Sequence, residues 1–183
     1  ADAKIEVHLL KGERATKKAT LNSMAASDII HLATHSRADG VFCAGSSLVD
    51  AKLSMTEVQA LSLPRTKLVV LSGCDSFRSD MRANSEDDDE LLREWASRVS
   101  AEGVVGITRG FMAAGALTVV ASLWKVDDDS TQSLMRELYA RLVAPSSGQL
   151  DAARALQGAM RALIAEGRSA VYWAAFVPYG LWS

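Results

Sequence analysis

Ile29-Ile30-His31-Leu32-Ala33-Thr34-His35 and Leu68-Val69-Val70-Leu71-Ser72-Gly73-Cys74-Asp75-Ser76 are the two stretches on which the reading of this chain turns. Each is an apolar run of strand length. Each closes on a reactive side chain, His35 in the first and Cys74 in the second. In an open parallel sheet, strand C-termini face the crevice where ligands bind. Neighbouring strands lie about 4.8 Å apart, so residues just past the ends of two neighbours can share one small site. A Cys and a His joined in that way are the minimum kit for a thiol nucleophile with a proton-transfer partner. If the two strands are neighbours, they form a cysteine peptidase active site.

Working outward, the run from Asp28 to Thr34 and the run from Lys67 to Ser72 are continuously apolar, the pattern of strands covered on both faces. Ile5 to Leu10 reads as an earlier strand, and Ala15 to Met24 is helix-compatible. Val41 to Lys52 mixes Gly, Ser and short apolar pieces, as a small hairpin does. Ser54-Met55-Thr56-Glu57 is a capping box and predicts a helix from Met55. Beyond the second run, Leu91 to Val99 and Gly106 to Ala114 read as helices and Leu117 to Leu123 as a strand. Ser130 is placed to cap a long helix through Leu142, with Leu134, Leu138 and Leu142 on one face. Leu150 to Ala165 is a second amphipathic helix carrying Leu156, Met160, Leu163 and Ile164, and Trp173 to Val177 a last short strand. Strands alternating with helices predict an α/β fold with a mainly parallel sheet.

Composition narrows the function. The 183 residues are 49% hydrophobic and 23% charged, enough for one domain with a sizeable core. A net charge of -2 supplies no basic field to draw nucleic acid or an anionic membrane. No apolar run approaches the roughly 18 residues of a membrane span, and no secretory signal pattern opens the chain. Two cysteines, Cys43 and Cys74, make no disulfide framework, so a reducing, cytoplasmic compartment is expected. The chain opens without Met, directly into a strand-like run, and reads as a domain cut from a longer protein.

A free Cys is commonly a packing residue. Cys43, between Phe42 and Ala44, fits that role. Cys74 differs, because Gly73 before it and Asp75-Ser76 after it break the apolar run and set it at a strand-to-loop turn. His31 lies inside its run and is expected to be a satisfied core residue. His35 is followed by Ser36-Arg37-Ala38-Asp39-Gly40, polar and turn-like, and is expected to face the crevice.

Several motifs in fixed order carry a family resemblance. They are His31-Leu32-Ala33-Thr34-His35, Leu71-Ser72-Gly73-Cys74-Asp75-Ser76, the run from Gly103 to Ala116, Ser122-Leu123-Trp124-Lys125-Val126-Asp127-Asp128, and Trp173-Ala174-Ala175-Phe176. Together they resemble the CHAT domain, a caspase-like family often found downstream of tetratricopeptide repeats. The likeness spans nearly the whole chain. It implies a single domain over residues 1–183 with the caspase-like three-layer sandwich, a mainly parallel sheet between helices. It also implies the cysteine endopeptidases of the caspase, separase and gingipain clan. By match to the motifs, His35 is the catalytic His and Cys74 the nucleophile. The His-before-Cys order agrees with caspases, where the His lies about 50 residues upstream; here the interval is 39 positions (74 minus 35). Ser36 stands where the family usually has Gly. Residues 77–102 form a longer connection than usual, an acidic insertion. A sheet strand preceding Ile5 to Leu10 is expected upstream in the parent protein.

The mechanism so implied uses the Cys74 thiolate as nucleophile, His35 as acid-base, and the backbone N–H groups of Ser36 and Cys74 as an oxyanion hole. Trp124 is a candidate pocket wall. Asp127, or Asp75 beside the nucleophile, is a candidate partner for a basic P1 side chain, whereas Asp128 and Asp129 suit a helix start. No cofactor and no metal are expected. Glu86 to Glu90 reads as a solvated loop, with a processing, autoinhibitory or Ca²⁺ role as minor options. The expected partners are a protein substrate and an upstream repeat or sensor domain, in the same parent protein or on a separate chain, giving regulated proteolysis. Neither direct nucleic-acid binding nor membrane contact is expected. The competing reading is a catalytically silent caspase-like scaffold. A nucleotide-binding protein is disfavoured, since neither a Walker pattern nor G-x-G-x-x-G follows any strand.

Overall fold

A computed structural model describes residues 5–37, 40–73, 102–124, 126–143 and 150–181. Thr16 opens the first helix, α1 (Lys17–Met24), its side chain accepting from the Ala19 N–H. The strand β1 (Ile29–Leu32) follows, then a small antiparallel sheet of β2 (Ser36–Arg37), β3 (Gly40–Phe42) and β4 (Lys52–Ser54), in that order. Helix α2 (Leu48–Ala51) interrupts the link between β3 and β4. The capping box at Ser54 and Glu57 forms as its sequence predicts and starts α3 (Met55–Gln59).

The main sheet holds β1, β5 (Leu68–Leu71), β6 (Thr118–Ser122) and β7 (Phe176–Gly180), in the order β1-β5-β6-β7. The first three strands are parallel, with Ile29 opposite Leu68 and Leu68 opposite Thr118; β7 runs antiparallel to β6. Between β5 and β6 lies α4 (Glu102–Ala113). Between β6 and β7 lie α5 (Asp128–Leu142), α6 (Ala152–Ala165) and the short α7 (Ala170–Trp173).

Strand alternation sends successive side chains to opposite faces. One face of the sheet, with Ile30, Val69, Leu71, Val119 and Ala121, packs on Met24, Val58, Ile107 and Phe111 from α1, α3 and α4. The other, with Leu68, Val70 and Val120, packs on Leu134, Met135 and Leu138 of α5 and Leu156, Ala159 and Leu163 of α6. This is the expected three-layer sandwich. Phe111 is completely buried; truncating such a side chain to Ala costs about 3–5 kcal/mol.

Several expectations are corrected. Ile5 to Leu10 is not a strand among the described residues, and Ile5, Val7 and Leu9 are exposed. Alternation by itself does not make a strand, which needs a neighbour to pair with. β1 is covered on one face at Ile30 and Leu32 and on the other at Ile29, but it lies at one edge of the described sheet and its His31 is exposed rather than a core residue. The last strand begins at Phe176, because the residues from Ala170 to Trp173 turn helical first. Its Pro178 sits on the other edge strand, where a missing N–H is tolerated. Ile164 is 48% exposed, and Ala155 and Ala159 take its place in the α6 stripe. The helical pattern from Leu91 to Val99 and the acidic block Glu86 to Glu90 lie outside the described residues.

Candidate functional site

β1 and β5 are parallel neighbours, so the two sequence runs end side by side. A cleft of about 700 Å³ opens at that end. His31, Thr34, His35, Ser72 and Gly73 line it from the strand exits. Helix α5 forms the facing wall, through Asp128, Gln132, Met135, Arg136 and Tyr139. These helix positions recur at intervals of three and four residues, which places them on one face.

Two close contacts join the strand exits. The Ser36 hydroxyl, 6% exposed, donates to the Gly73 carbonyl at 2.6 Å. Gly73 also lies so tightly on Thr34 that a Cβ there would come within 1.9 Å of the Thr34 carbonyl oxygen. Only glycine permits that approach. Thr34 is in turn held by its own hydroxyl, which donates to the Phe42 carbonyl at 2.6 Å. The turn bearing His35 is thus fastened both to β3 and to the end of β5.

His35 is exposed and lines the cleft. Cys74 and Asp75, named from the sequence as nucleophile and candidate substrate partner, lie outside the described residues; Cys74 is the residue bonded to Gly73. Ser36 pairs with Val41 in the small sheet. The Phe42 N–H donates to the His35 carbonyl, which makes the adjacent Ser36–Val41 pair a non-hydrogen-bonded one. The Ser36 N–H is therefore directed away from β3.

Asp127 does not line the cleft. It is the N-cap of α5, its Oδ1 accepting from the Ser130 N–H at 2.9 Å. That also corrects the expectation that Ser130 is the cap: both side chains are able to cap, and the one at the extended backbone position does so. Among the described residues, the carboxylate that lines the cleft is Asp128. Trp124 donates its indole N–H to the Val171 carbonyl at 2.8 Å and packs against the α5–α6 side of the core rather than on the cleft. Cys43 packs partly buried on the opposite face of the sheet, as expected.

Sequence reasoning passed over His31 and Tyr139. The His31 Nε2 lies 2.7 Å from the Ser72 hydroxyl and its Nδ1 3.0 Å from the Tyr139 hydroxyl. His31 is exposed and lines the cleft, while the protein packed around it desolvates the charged form and lowers its pKa. Burial also raises the pKa of the Tyr139 phenol, which stays protonated. The available signal was the spacing of Asp128, Thr131, Met135 and Tyr139 at intervals of three and four, which sets them on one helix face. No cluster of three metal-ligating side chains occurs among the described residues, and none of their helices is long and apolar enough to cross a membrane.

Comparison with known proteins agrees with this architecture. Tetratricopeptide repeat protein 28 of Homo sapiens is 25% identical over 173 residues, covering 83% of this chain and 7% of that protein. The Mus musculus protein of the same name is 23% identical over 155 residues, covering 73% of this chain and 6% of its own length. The chain thus spans less than a tenth of the curated relatives it matches. The model of the CHAT domain family matches residues 2–181. With its mostly parallel sheet between helical layers, a caspase-like sandwich, this chain belongs to the CHAT domain family.

Proposed function

We propose that this domain is a cysteine endopeptidase in which His35 and Cys74 act as a dyad. One observation carries the reading: the Ser36–Gly73 hydrogen bond ties the residue after His35 to the residue before Cys74, at the mouth of a cleft. A strand-end Cys and His so tethered suit acyl transfer.

In the proposed reaction the Cys74 thiolate attacks the scissile carbonyl carbon. The oxygen takes up the electron pair and is held by the backbone N–H groups of Ser36 and Cys74. The C–N bond breaks as His35 protonates the leaving amine, and a thioester remains on Cys74. His35 then takes a proton from water, which attacks the thioester and releases the acid and the thiolate. The orientation of the Ser36 N–H, away from β3, supports its part in the oxyanion hole. The change from the family's Gly to Ser leaves that N–H in place.

A basic P1 side chain suits this cleft. With Asp127 engaged in capping and Trp124 turned into the core, Asp128 on the cleft wall and Asp75 beside Cys74 are the acids available to a cation. The relatives carry tetratricopeptide repeats in their name. A repeat or sensor module of the parent protein, or of a separate chain, is therefore the proposed activator of regulated, cytoplasmic proteolysis. A protein is the proposed substrate.

The test is covalent labelling by peptidyl acyloxymethyl ketones with basic, acidic or apolar P1 residues, read at Cys74 by mass spectrometry with His35→Ala as control. Fast, P1-selective labelling that the control loses supports the peptidase. Slow labelling, equal at Cys43 and Cys74 and indifferent to His35, would leave a silent scaffold.

A further inference from the structure

A hydrogen-bonded chain of three side chains crosses the floor of the cleft, and the dyad does not account for it. Ser72 of the β5 exit, His31 of β1 and Tyr139 of α5 are joined through the two ring nitrogens of His31. The imidazole and phenol rings also meet, with centroids 5.6 Å apart and planes tilted by 31°.

The position of this chain follows from strand alternation. Ile29 and His31 share one face of β1, and Leu68, Val70 and Ser72 lie along one face of the segment that includes β5. Ile29, Leu68 and Val70 pack in the core beneath α5 and α6. At the cleft end the same two rows become polar, and Tyr139 comes down from the helix to meet them. Here each of the three is bonded to another, and the three come from three different elements.

The chain therefore grips Ser72 from the side of α5, while the Ser36 hydroxyl grips the Gly73 carbonyl from the side of the small sheet. Ser72 and Gly73 are the last two residues before Cys74. Resting on the peptidase reading above, we propose that His31 is a positioning residue, joined to Tyr139 and Ser72 so that the exit of β5 is fixed against α5 and the nucleophile is presented to His35. The neutral ring has one donor and one acceptor, and the two hydroxyls can each turn to serve either. Its work is orientation, with no proton transferred to substrate.

Ser72→Ala, Tyr139→Phe and the double variant test this, each in the full chain. Phenylalanine keeps the ring contact and removes only the hydroxyl. The readout is inactivation by the peptidyl acyloxymethyl ketone that labels wild-type Cys74 fastest, resolved into a limiting rate and a half-saturating concentration. Small misplacements of reacting groups cost up to about a hundredfold, so each single variant is expected to lose about ten- to a hundredfold in limiting rate. Half-saturation should stay within about twofold, and the double variant should lose no more than the worse single one, since the groups act as one unit. Thermal unfolding of each variant gives the folded fraction, and the rates are corrected for it. Wild-type rates in both single variants, with labelling still abolished by His35→Ala, would overturn this inference and leave the peptidase reading standing. Losses that vanish after that correction would reduce the chain to packing and overturn it as well. Wild-type labelling indifferent to His35→Ala would bring down the peptidase reading, and this inference with it.

Discussion

The Ser36 hydroxyl donates to the Gly73 carbonyl at 2.6 Å, across 37 positions of sequence. It connects the turn after β1 to the exit of β5, and it comes from the residue that stands where the family's motif has Gly. Losing it leaves a partly buried carbonyl unpaired, a cost of about 1–3 kcal/mol. Ser36→Ala is therefore expected to lower stability by about that amount in urea unfolding, and to slow the labelling of Cys74. A midpoint equal to wild type would mean that the bond contributes nothing net.

Gly73 offers a harsher test. A Cβ would meet the Thr34 carbonyl oxygen at 1.9 Å and its nitrogen at 2.6 Å, and these are backbone atoms that cannot swing away. Gly73→Ala should cost more than about 4 kcal/mol, in the range of the most disruptive single changes. The check is thermal unfolding beside Gly12→Ala, where the added Cβ meets nothing within 4 Å although φ is +57°. A Gly73→Ala protein as stable as Gly12→Ala would refute the close approach.

The α3 capping box predicts an acid-sensitive element. Glu57 has its pKa lowered to about 2, first by the Lys17 ammonium and then by the Ser54 backbone and hydroxyl. A carboxylate depressed in the folded state adds stability above its unfolded pKa, and that stability is lost as pH falls toward the folded value. The loss should therefore run from about pH 4.5 down to about 2. The carboxylate is half in solvent, so screening keeps the effect small, under about 1 kcal/mol. Ser54→Ala should cost about 1 kcal/mol at neutral pH. Glu57→Gln should flatten the acid limb, as followed by unfolding midpoints across that range.

His31 should titrate below the ordinary imidazole value of 6.5, because its surroundings disfavour the charged ring. The unfolded chain then binds the proton more readily, so this group lowers stability as pH falls below about 6.5 and stops doing so once the folded ring is protonated too. Histidine ring resonances followed by NMR against pH give the midpoint directly. A value at or above the ordinary one would contradict the packing described around the ring.

Asp128 is expected to select charge. Asp128→Lys should slow labelling by probes with Lys or Arg at P1 by at least about tenfold, one factor of ten being about 1.4 kcal/mol of lost charge pairing. Probes with Leu at P1 should be little affected. Reversing charge in the first turn of α5 should lower stability by about 0.3–1 kcal/mol. Equal losses for both probe types would point to damage to the helix rather than a lost ion pair.

Much of this architecture is written in local sequence. A continuous apolar run marked β5 because a fully covered strand needs side chains apolar on both faces. Ser54 and Glu57 marked α3 because a cap is a contact between residues three apart. The same locality explains the failures. Ile5 to Leu10 has the pattern of a strand, yet pairing is a property of two segments. Asp127 and Ser130 are both competent caps, and backbone geometry chose Asp127. The apolar run around His31 marked it as a core residue, but what its ring meets depends on Ser72, 41 positions away, and Tyr139, 108 positions away. The neighbourhood of β1 and β5, the bond from Ser36 to Gly73 and the choice of Asp128 as the acid on the cleft wall belong to tertiary structure, because each joins segments whose meeting depends on how the sheet and helices pack.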